Sequence, residues 1–92
     1  MSIQITGQGF EVGESLTTFV KEAVLDFLVK YEINEEGAHV TFSHDAHKAV
    51  MAKVKMGNFF SERTSPDAYE AFKSAFKEVE KQVVKEKEKK GN

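Results

Sequence analysis

Two long segments of the chain repeat apolar residues every three or four positions, the spacing that places side chains on one face of an α-helix. The stripe between Glu14 and Tyr31 comprises Leu16, Phe19, Val20, Ala23, Val24, Phe27 and Tyr31. The second stripe comprises Ala68, Phe72, Ala75, Phe76, Val79 and Val83. Ser65, Pro66 and Asp67 precede it and offer a capping side chain, a proline suited to a first turn and an acid for the helix dipole. The sequence therefore predicts two amphipathic helices, each of which must bury one face.

Elsewhere, apolar and polar residues alternate with the period of two that marks a half-buried strand. The alternating segments are residues 2–10, 39–44, 50–56 and 59–63. Short turns at Asp45-Ala46 and Gly57-Asn58 join the last three into an antiparallel meander. The predicted order is β-α-β-β-β-α, a single α+β domain over residues 1–92 with both helices on one face of a four-stranded sheet. The other face stays open, and the polar tail, residues 85–92, is expected to fray.

Composition excludes several classes of function. The chain of 92 residues has no cysteine, which excludes disulfides and thiolate sites and favours a cytoplasmic location. No apolar run reaches the roughly 20 residues that cross a bilayer, and the N-terminus lacks signal-peptide features, so no membrane association is expected. With 13 Lys+Arg against 15 Asp+Glu, the formal charge is −2. Binding to nucleic acid would therefore have to depend on a local basic patch.

No pattern in the sequence indicates catalysis or metal binding. It contains none of the motifs of serine hydrolases, zinc proteases or phosphate-binding loops, so we expect no enzymatic activity, small-molecule substrate or cofactor. His39, His44 and His47 lie close together, but zinc normally takes three or four protein ligands and no cysteine is available. They are interpreted as polar residues at strand ends, and no metal site is predicted.

The second predicted helix carries lysines four residues apart, which places them along one flank. They are Lys73, Lys77, Lys81 and Lys85. One interpretation is a basic ridge that binds RNA. The alternative is a solvated surface, because glutamates alternate with the lysines and such runs often serve only solubility. These glutamates are Glu70, Glu78, Glu80, Glu86 and Glu88.

The open face of the sheet is a second candidate for RNA binding. Lys53 and Lys55 are expected to project from it near Thr41. Phe59 and Phe60 point to opposite sides of their strand, so only one of them faces the helices. Phe60 is therefore either an aromatic platform on the open face or part of the core.

Three aliphatic residues of the first helix, Leu25, Leu28 and Val29, fall outside its buried stripe. One interpretation is a protein-binding surface, in its simplest form a symmetric homodimer. In the other, Leu28 tucks under the loop at residues 32–37 and the rest are scattered surface residues, which are common.

Three short motifs resemble one known family. The motifs are Ile5-Thr6-Gly7 with Glu11-Val12 and Leu16, then Asp67-Ala68-Tyr69-Glu70-Ala71, and then Lys81-Gln82 with Lys85, Lys87 and Lys89. They are similar to the opening, the D-M-Y-A-A segment and the R-Q-x-x-K-x-K-x-K ending of bacterial ribosome hibernation promoting factors, also called ribosome-associated inhibitors or sigma-54 modulation proteins. The likeness spans nearly the whole chain and implies the short form of the family, with a fold like that of double-stranded-RNA-binding domains.

The resemblance implies a non-enzymatic factor that binds 16S rRNA of the small ribosomal subunit between head and body, in the path of mRNA and tRNA, and silences translation under stress. The rRNA-binding residues expected on this basis are Lys81, Lys85, Lys87, Lys89, His47 and Lys48, with Lys53 and Lys55 added from the open face. Thr17, Ala23 and Asp26 stand where family members carry basic residues on the first helix, and Ser43 replaces a strand lysine. The alternative is a divergent paralogue that binds protein or itself through the first helix; binding to another structured RNA is a third possibility.

Overall fold

The computed structural model describes residues 2–31 and 37–90 of the chain. Its elements are β1 (Ser2–Gln8), α1 (Glu14–Lys30), β2 (Gly37–His44), β3 (Val50–Met56), β4 (Phe59–Ser65) and α2 (Ala68–Lys90). The predicted order of elements is confirmed. β1 ends two residues earlier than the alternation indicated, whereas β2 begins two residues earlier and β4 ends two residues later.

The four strands form one mixed sheet in the order β1-β2-β3-β4. β1 runs parallel to β2, with Ile5 opposite Val40. Two parallel neighbours need a long crossover connection, and α1 supplies it. β2, β3 and β4 pair antiparallel, which confirms the predicted meander. β1 and β4 are therefore the two edges of the sheet.

The core lies between the helices and one face of the sheet. Its fully buried side chains are Val20, Val24, Val40, Phe42, Ala52, Val54, Ala71, Ala75 and Val79. Aromatic rings also join the helices to each other: Phe27 packs edge-on against Phe76 with ring centres 5.1 Å apart, and Phe19 packs against Tyr69 at the same separation. Because both helices occupy one face, the opposite face of the sheet is the open one, as predicted.

The passage from β1 to α1 depends on a glycine. A Cβ atom on Gly7 would lie 1.9 Å from the carbonyl oxygen of Phe10, so a larger residue cannot be accommodated without moving the backbone. The close approach arises because the chain reverses at Gly9, which has a φ of 65°. The reversal lays the ring of Phe10 on that of Phe42, with centres 5.7 Å apart. The glycine of the first motif is thus a packing requirement.

Asp67 caps the start of α2. Its Oδ1 accepts a hydrogen bond from the N–H of Tyr69 at 3.2 Å, which satisfies one of the free donors of the first turn. Ser65, the capping residue offered by the sequence, instead accepts a bond from the N–H of Asp67 at 3.3 Å. At its other end α2 runs to Lys90, into the polar tail, whose fraying stays a prediction. Neither described helix combines the length and hydropathy that a bilayer crossing demands.

Candidate nucleic-acid interface

The side of α2 that faces away from the sheet carries three exposed lysines, Lys77, Lys81 and Lys85, which we call the lysine ridge. They are spaced one helical turn apart, so their Cα atoms lie about 6 Å apart along the axis. With Glu80 and Val84 they line an open groove of about 470 Å³. The ridge is a continuous, solvent-accessible cationic surface.

Two of the glutamates that alternate with the lysines, Glu78 and Glu80, contact other elements of the fold. Glu78 Oε2 lies 3.5 Å from Arg63 Nη2 of β4. Glu80 Oε2 accepts a hydrogen bond of 3.0 Å from the Tyr31 hydroxyl, at the end of α1. Within the described part of the chain, no residue forms an ion pair with a lysine of the ridge. Glu78 and Glu80 therefore do not form ion pairs with the lysine ridge, although Glu80 lines the same groove.

Lys73 does not belong with the other three lysines. Its Nζ lies 3.2 Å from Glu70 Oε1 on the preceding turn of α2, in an exposed ion pair. Such an exposed pair contributes little stability, but it neutralises the charge of Lys73. The basic ridge predicted from four lysines thus consists of three.

Phe60 lies on the open face of the sheet, and 47% of its surface is exposed. Its neighbour Phe59 points the other way and packs against the core. The strand register aligns His39 of β2, Lys55 of β3 and Phe60 of β4 in one row across the sheet, which we call the open-face row. Lys53 lies in the next row, between Thr41 and Glu62. The structure thereby settles the orientation that the sequence left open.

The edge of β4 is covered by a side chain of α2. Gln82 Nε2 donates to the carbonyl oxygen of Phe60 at 2.9 Å, and Gln82 Oε1 accepts from the N–H of Phe60 at 3.3 Å. The amide thus replaces one residue of a neighbouring strand at an otherwise unpaired edge. No periodicity in the sequence indicated this role; the only signal was the place of Gln82 in the third family motif.

His47 and Lys48 occupy the exposed turn between β2 and β3. Asp45 organises this turn, since its Oδ1 accepts hydrogen bonds from the N–H groups of His47 at 2.8 Å and Ala49 at 2.9 Å. Lys48 adopts a left-handed conformation with a φ of 66°. His44 Nδ1 donates to the carbonyl oxygen of Lys48 at 3.4 Å.

The residues predicted to bind rRNA do not share one surface. The lysine ridge lies outside the helical layer, whereas Lys53 and Lys55 lie on the opposite face of the sheet. The turn with His47 and Lys48 lies at the other end of the strands from the β3–β4 turn, and thus from the C-terminal half of α2. The side chains of Lys87 and Lys89 lie outside the described part of the structure.

The histidines contact other groups. Thr6 Oγ1 and His39 Nε2 share a hydrogen bond of 3.0 Å, and the ring of His44 lies 5.1 Å from that of Phe10. Across residues 2–31 and 37–90, no three His, Asp or Glu side chains are placed to hold a metal ion.

The aliphatic patch predicted on α1 is smaller than its sequence suggested. Leu28 is only 3% exposed and belongs to the core, so the expectation that it lies at a protein interface is wrong. Most of the loop at residues 32–37, under which the sequence alternatively placed Leu28, lies outside the described residues. Leu25 and Val29 are exposed, at 46% and 75%.

Comparisons with known proteins agree with this fold. The family described as sigma 54 modulation protein / S30EA ribosomal protein matches residues 3–91. The N-terminal domain of Protein Y from Thermus thermophilus is 24% identical, with a TM-score of 0.71, and the match covers 90% of this chain and 96% of that one. A ribosomal subunit interface protein from Coxiella burnetii is 26% identical, with a TM-score of 0.65, over 95% of this chain and 98% of that one. Among curated proteins, no sequence is significantly similar. Since the family match covers nearly the entire chain, the protein belongs to the sigma 54 modulation protein / S30EA ribosomal protein family.

Proposed function

We propose that the protein is a non-enzymatic cytoplasmic factor that binds the small ribosomal subunit through the lysine ridge, occupies the channel for mRNA and tRNA, and silences translation under stress. The observation that carries this proposal is the ridge itself: three exposed lysines, with which neither Glu78 nor Glu80 forms an ion pair. Family membership and the relative from Coxiella burnetii, named as a ribosomal subunit interface protein, support the ribosome as the partner.

The physical mechanism is phosphate neutralisation. Each lysine that pairs with a phosphate releases condensed counterions, so binding is strong at low salt and weakens as salt rises. The ammonium group of lysine is a flexible point charge that does not read base edges, so the ridge supplies affinity and the shape of the folded rRNA supplies the choice of site. A protein with a formal charge of −2 can bind RNA in this way because the nearest charges dominate at cellular ionic strength.

His47, Lys48, Lys87 and Lys89 are secondary contacts in this proposal. The exposed turn at His47 and Lys48 lies far from the C-terminal half of α2, so it would meet a different rRNA segment. Lys87 and Lys89 follow the ridge in the sequence, near the end of α2. Lys53 and Lys55, on the opposite side of the sheet, are outside the reach of the same segment.

Sedimentation with purified ribosomes tests the proposal. The wild type should pellet with ribosomes at low salt and be released at moderate salt. The double variant Lys81→Glu/Lys85→Glu should stay in the supernatant at both salt concentrations. Lys21→Glu/Lys30→Glu makes the same change in net charge on α1 and is the matched control, with binding expected to remain near the wild type. Equal losses in the two double variants would show that only overall charge matters. Binding that persists in Lys81→Glu/Lys85→Glu would remove the ridge from the proposal.

A second candidate function is self-association through the outer side of α1, favoured by the exposure of Leu25 and Val29. Two aliphatic side chains form a small patch for a stable dimer, so a weak one is expected. Light scattering over a dilution series measures it. A mass that falls on dilution, and a constant monomer mass for Leu25→Asp, would support self-association; a monomer at every concentration would exclude it.

A further inference from the structure

The open-face row juxtaposes an exposed aromatic ring and a cationic side chain on a rigid surface. Phe60 is the one large aromatic residue among the described exposed hydrophobics, and Lys55 is directly opposite it on β3. An exposed phenylalanine on the open face offers an aromatic plane on which a nucleic-acid base can stack. The backbone of Phe60 is held by the β3–β4 pairing on one side and by the side-chain amide of Gln82 on the other.

The other polar groups of the open face suit a nucleic acid strand. Lys53 lies one row from Lys55 on the same strand, about 7 Å along it, and both project from the same face. Glu62 is opposite Lys53, so the two lysines and one glutamate leave a net positive charge around the ring. His39 lies two strands from Phe60, about 10 Å away, and presents a second ring that can stack.

Single-stranded RNA fits this arrangement better than a duplex or a protein does. In a duplex the bases are stacked on one another and their planes are inaccessible, whereas the unstacked bases of a single strand can lie on an aromatic ring. A hydrophobic protein partner would require a wider apolar surface than one ring surrounded by threonine, glutamine and lysine side chains. The surrounding groups are Gln4, Thr6, Thr41 and Thr64.

We propose that the open face of the sheet is a binding site for single-stranded RNA, in which a base stacks on Phe60 while Lys55 and Lys53 contact the flanking phosphates. The site is separate from the lysine ridge, on the other side of the molecule, and it does not require that the ridge bind ribosomes. One molecule would then hold folded RNA on its helical side and an unpaired strand on its open side.

The test measures the binding of a fluorescein-labelled RNA of about ten nucleotides, as a single strand and annealed to its complement, by anisotropy at low salt. Phe60→Leu keeps an apolar side chain but removes the stacking plane, and should weaken single-strand binding about 5- to 150-fold, the range found when stacking residues are removed. Thr18→Ala, at an exposed residue of α1, is the control and should leave binding unchanged. Lys55→Gln should lower the dependence of log affinity on log salt by about 0.7.

A spectroscopic arm reports stacking directly. The chain contains no tryptophan, so Phe60→Trp introduces a single indole whose fluorescence should be quenched when the single strand is added. Thr18→Trp, on the outer side of α1, should show no quenching. The proposal is overturned if Phe60→Leu binds the single strand as well as the wild type does, if the duplex binds more tightly than the single strand, or if the indole at position 60 does not respond. Because the probe contains no ribosome, these outcomes are independent of whether the ridge binds rRNA.

Discussion

The two helices pack on the same face of one sheet, yet their outer sides differ in chemistry. The outer side of α2 is the lysine ridge, whose neighbouring glutamates contact Arg63 and Tyr31. The outer side of α1 presents Leu25 and Val29 among exposed acids such as Glu22 and Asp26. Packing against a shared core constrains only the inner stripe of each helix, so the outer sides are free to serve different partners. The comparison shows that net charge is a poor guide to where cationic surface lies on a small domain.

The largest expected effect distinguishes a buried residue of α1 from an exposed residue of the same helix. Leu28→Ala should reduce the free energy of unfolding by about 2–5 kcal/mol, because it removes a buried side chain and leaves a cavity. Leu25→Ala, only three residues earlier, should change it by less than about 0.5 kcal/mol. Urea denaturation followed by circular dichroism measures both. Similar losses of unfolding free energy in the two variants would mean that the outer side of α1 packs against another part of the protein.

The next effect tests the outer side of α2. Replacing Lys77, Lys81 and Lys85 together with glutamine should lower ribosome affinity roughly 10²–10³-fold near 0.1 M salt and reduce the salt slope by roughly 2 to 3 units. Binding is measured by sedimentation over a salt series. Lys21→Gln/Lys30→Gln on α1 is the comparison variant, with a slope expected to match the wild type. If the α1 variant loses as much ribosome affinity per lysine replaced, the outer sides of the two helices do not differ in ribosome binding.

A smaller effect concerns how α2 is joined to the sheet. Gln82→Ala removes both hydrogen bonds to the backbone of Phe60 and should cost about 1–2 kcal/mol of unfolding free energy. It also exposes the edge of β4, so self-association at high concentration should increase. Urea denaturation and light scattering measure the two consequences. Lys81→Ala, on the adjacent exposed position, should show neither of them.

The smallest effect isolates the charge of one glutamate beside the ridge. Glu80→Gln keeps an oxygen that accepts the hydrogen bond from Tyr31, so stability should change little. Removing its negative charge should strengthen ribosome binding only roughly twofold, since the carboxylate is half-buried against Tyr31 and its charge is partly screened by salt. The matched substitution Glu22→Gln on α1 should leave binding unchanged. Weaker binding in Glu80→Gln would indicate that the carboxylate itself contacts the partner.

The regular spacing of apolar residues was the most informative feature of the sequence. The order of elements, both helices and the antiparallel meander follow from spacings of three, four and two, which reflect a burial pattern repeated over many residues. The spacing of the lysines on α2 likewise placed Lys77, Lys81 and Lys85 on one side of the helix. A helical repeat does not say which neighbour an acid will choose, so the pairing of Glu78 with Arg63 could not be deduced.

Leu28 and Phe60 show the limits of such patterns in opposite directions. Leu28 lies at the margin of the apolar stripe, and its burial is a property of the folded domain that the stripe alone does not indicate. Phe60 belongs to a pair of adjacent phenylalanines in which either one satisfies the alternation, so the register with β3 had to decide.

The sequence by itself determined the elements of this protein, its α+β class and the family to which its motifs point, because these depend on local spacing and on short segments. Tertiary structure alone decided which charges remain free, which face Phe60 occupies and how Gln82 covers the edge of β4. These properties depend on the register between strands and on contacts between residues distant in the sequence, such as Arg63 with Glu78 and Tyr31 with Glu80, and the sequence encodes them only through the packing of the whole domain.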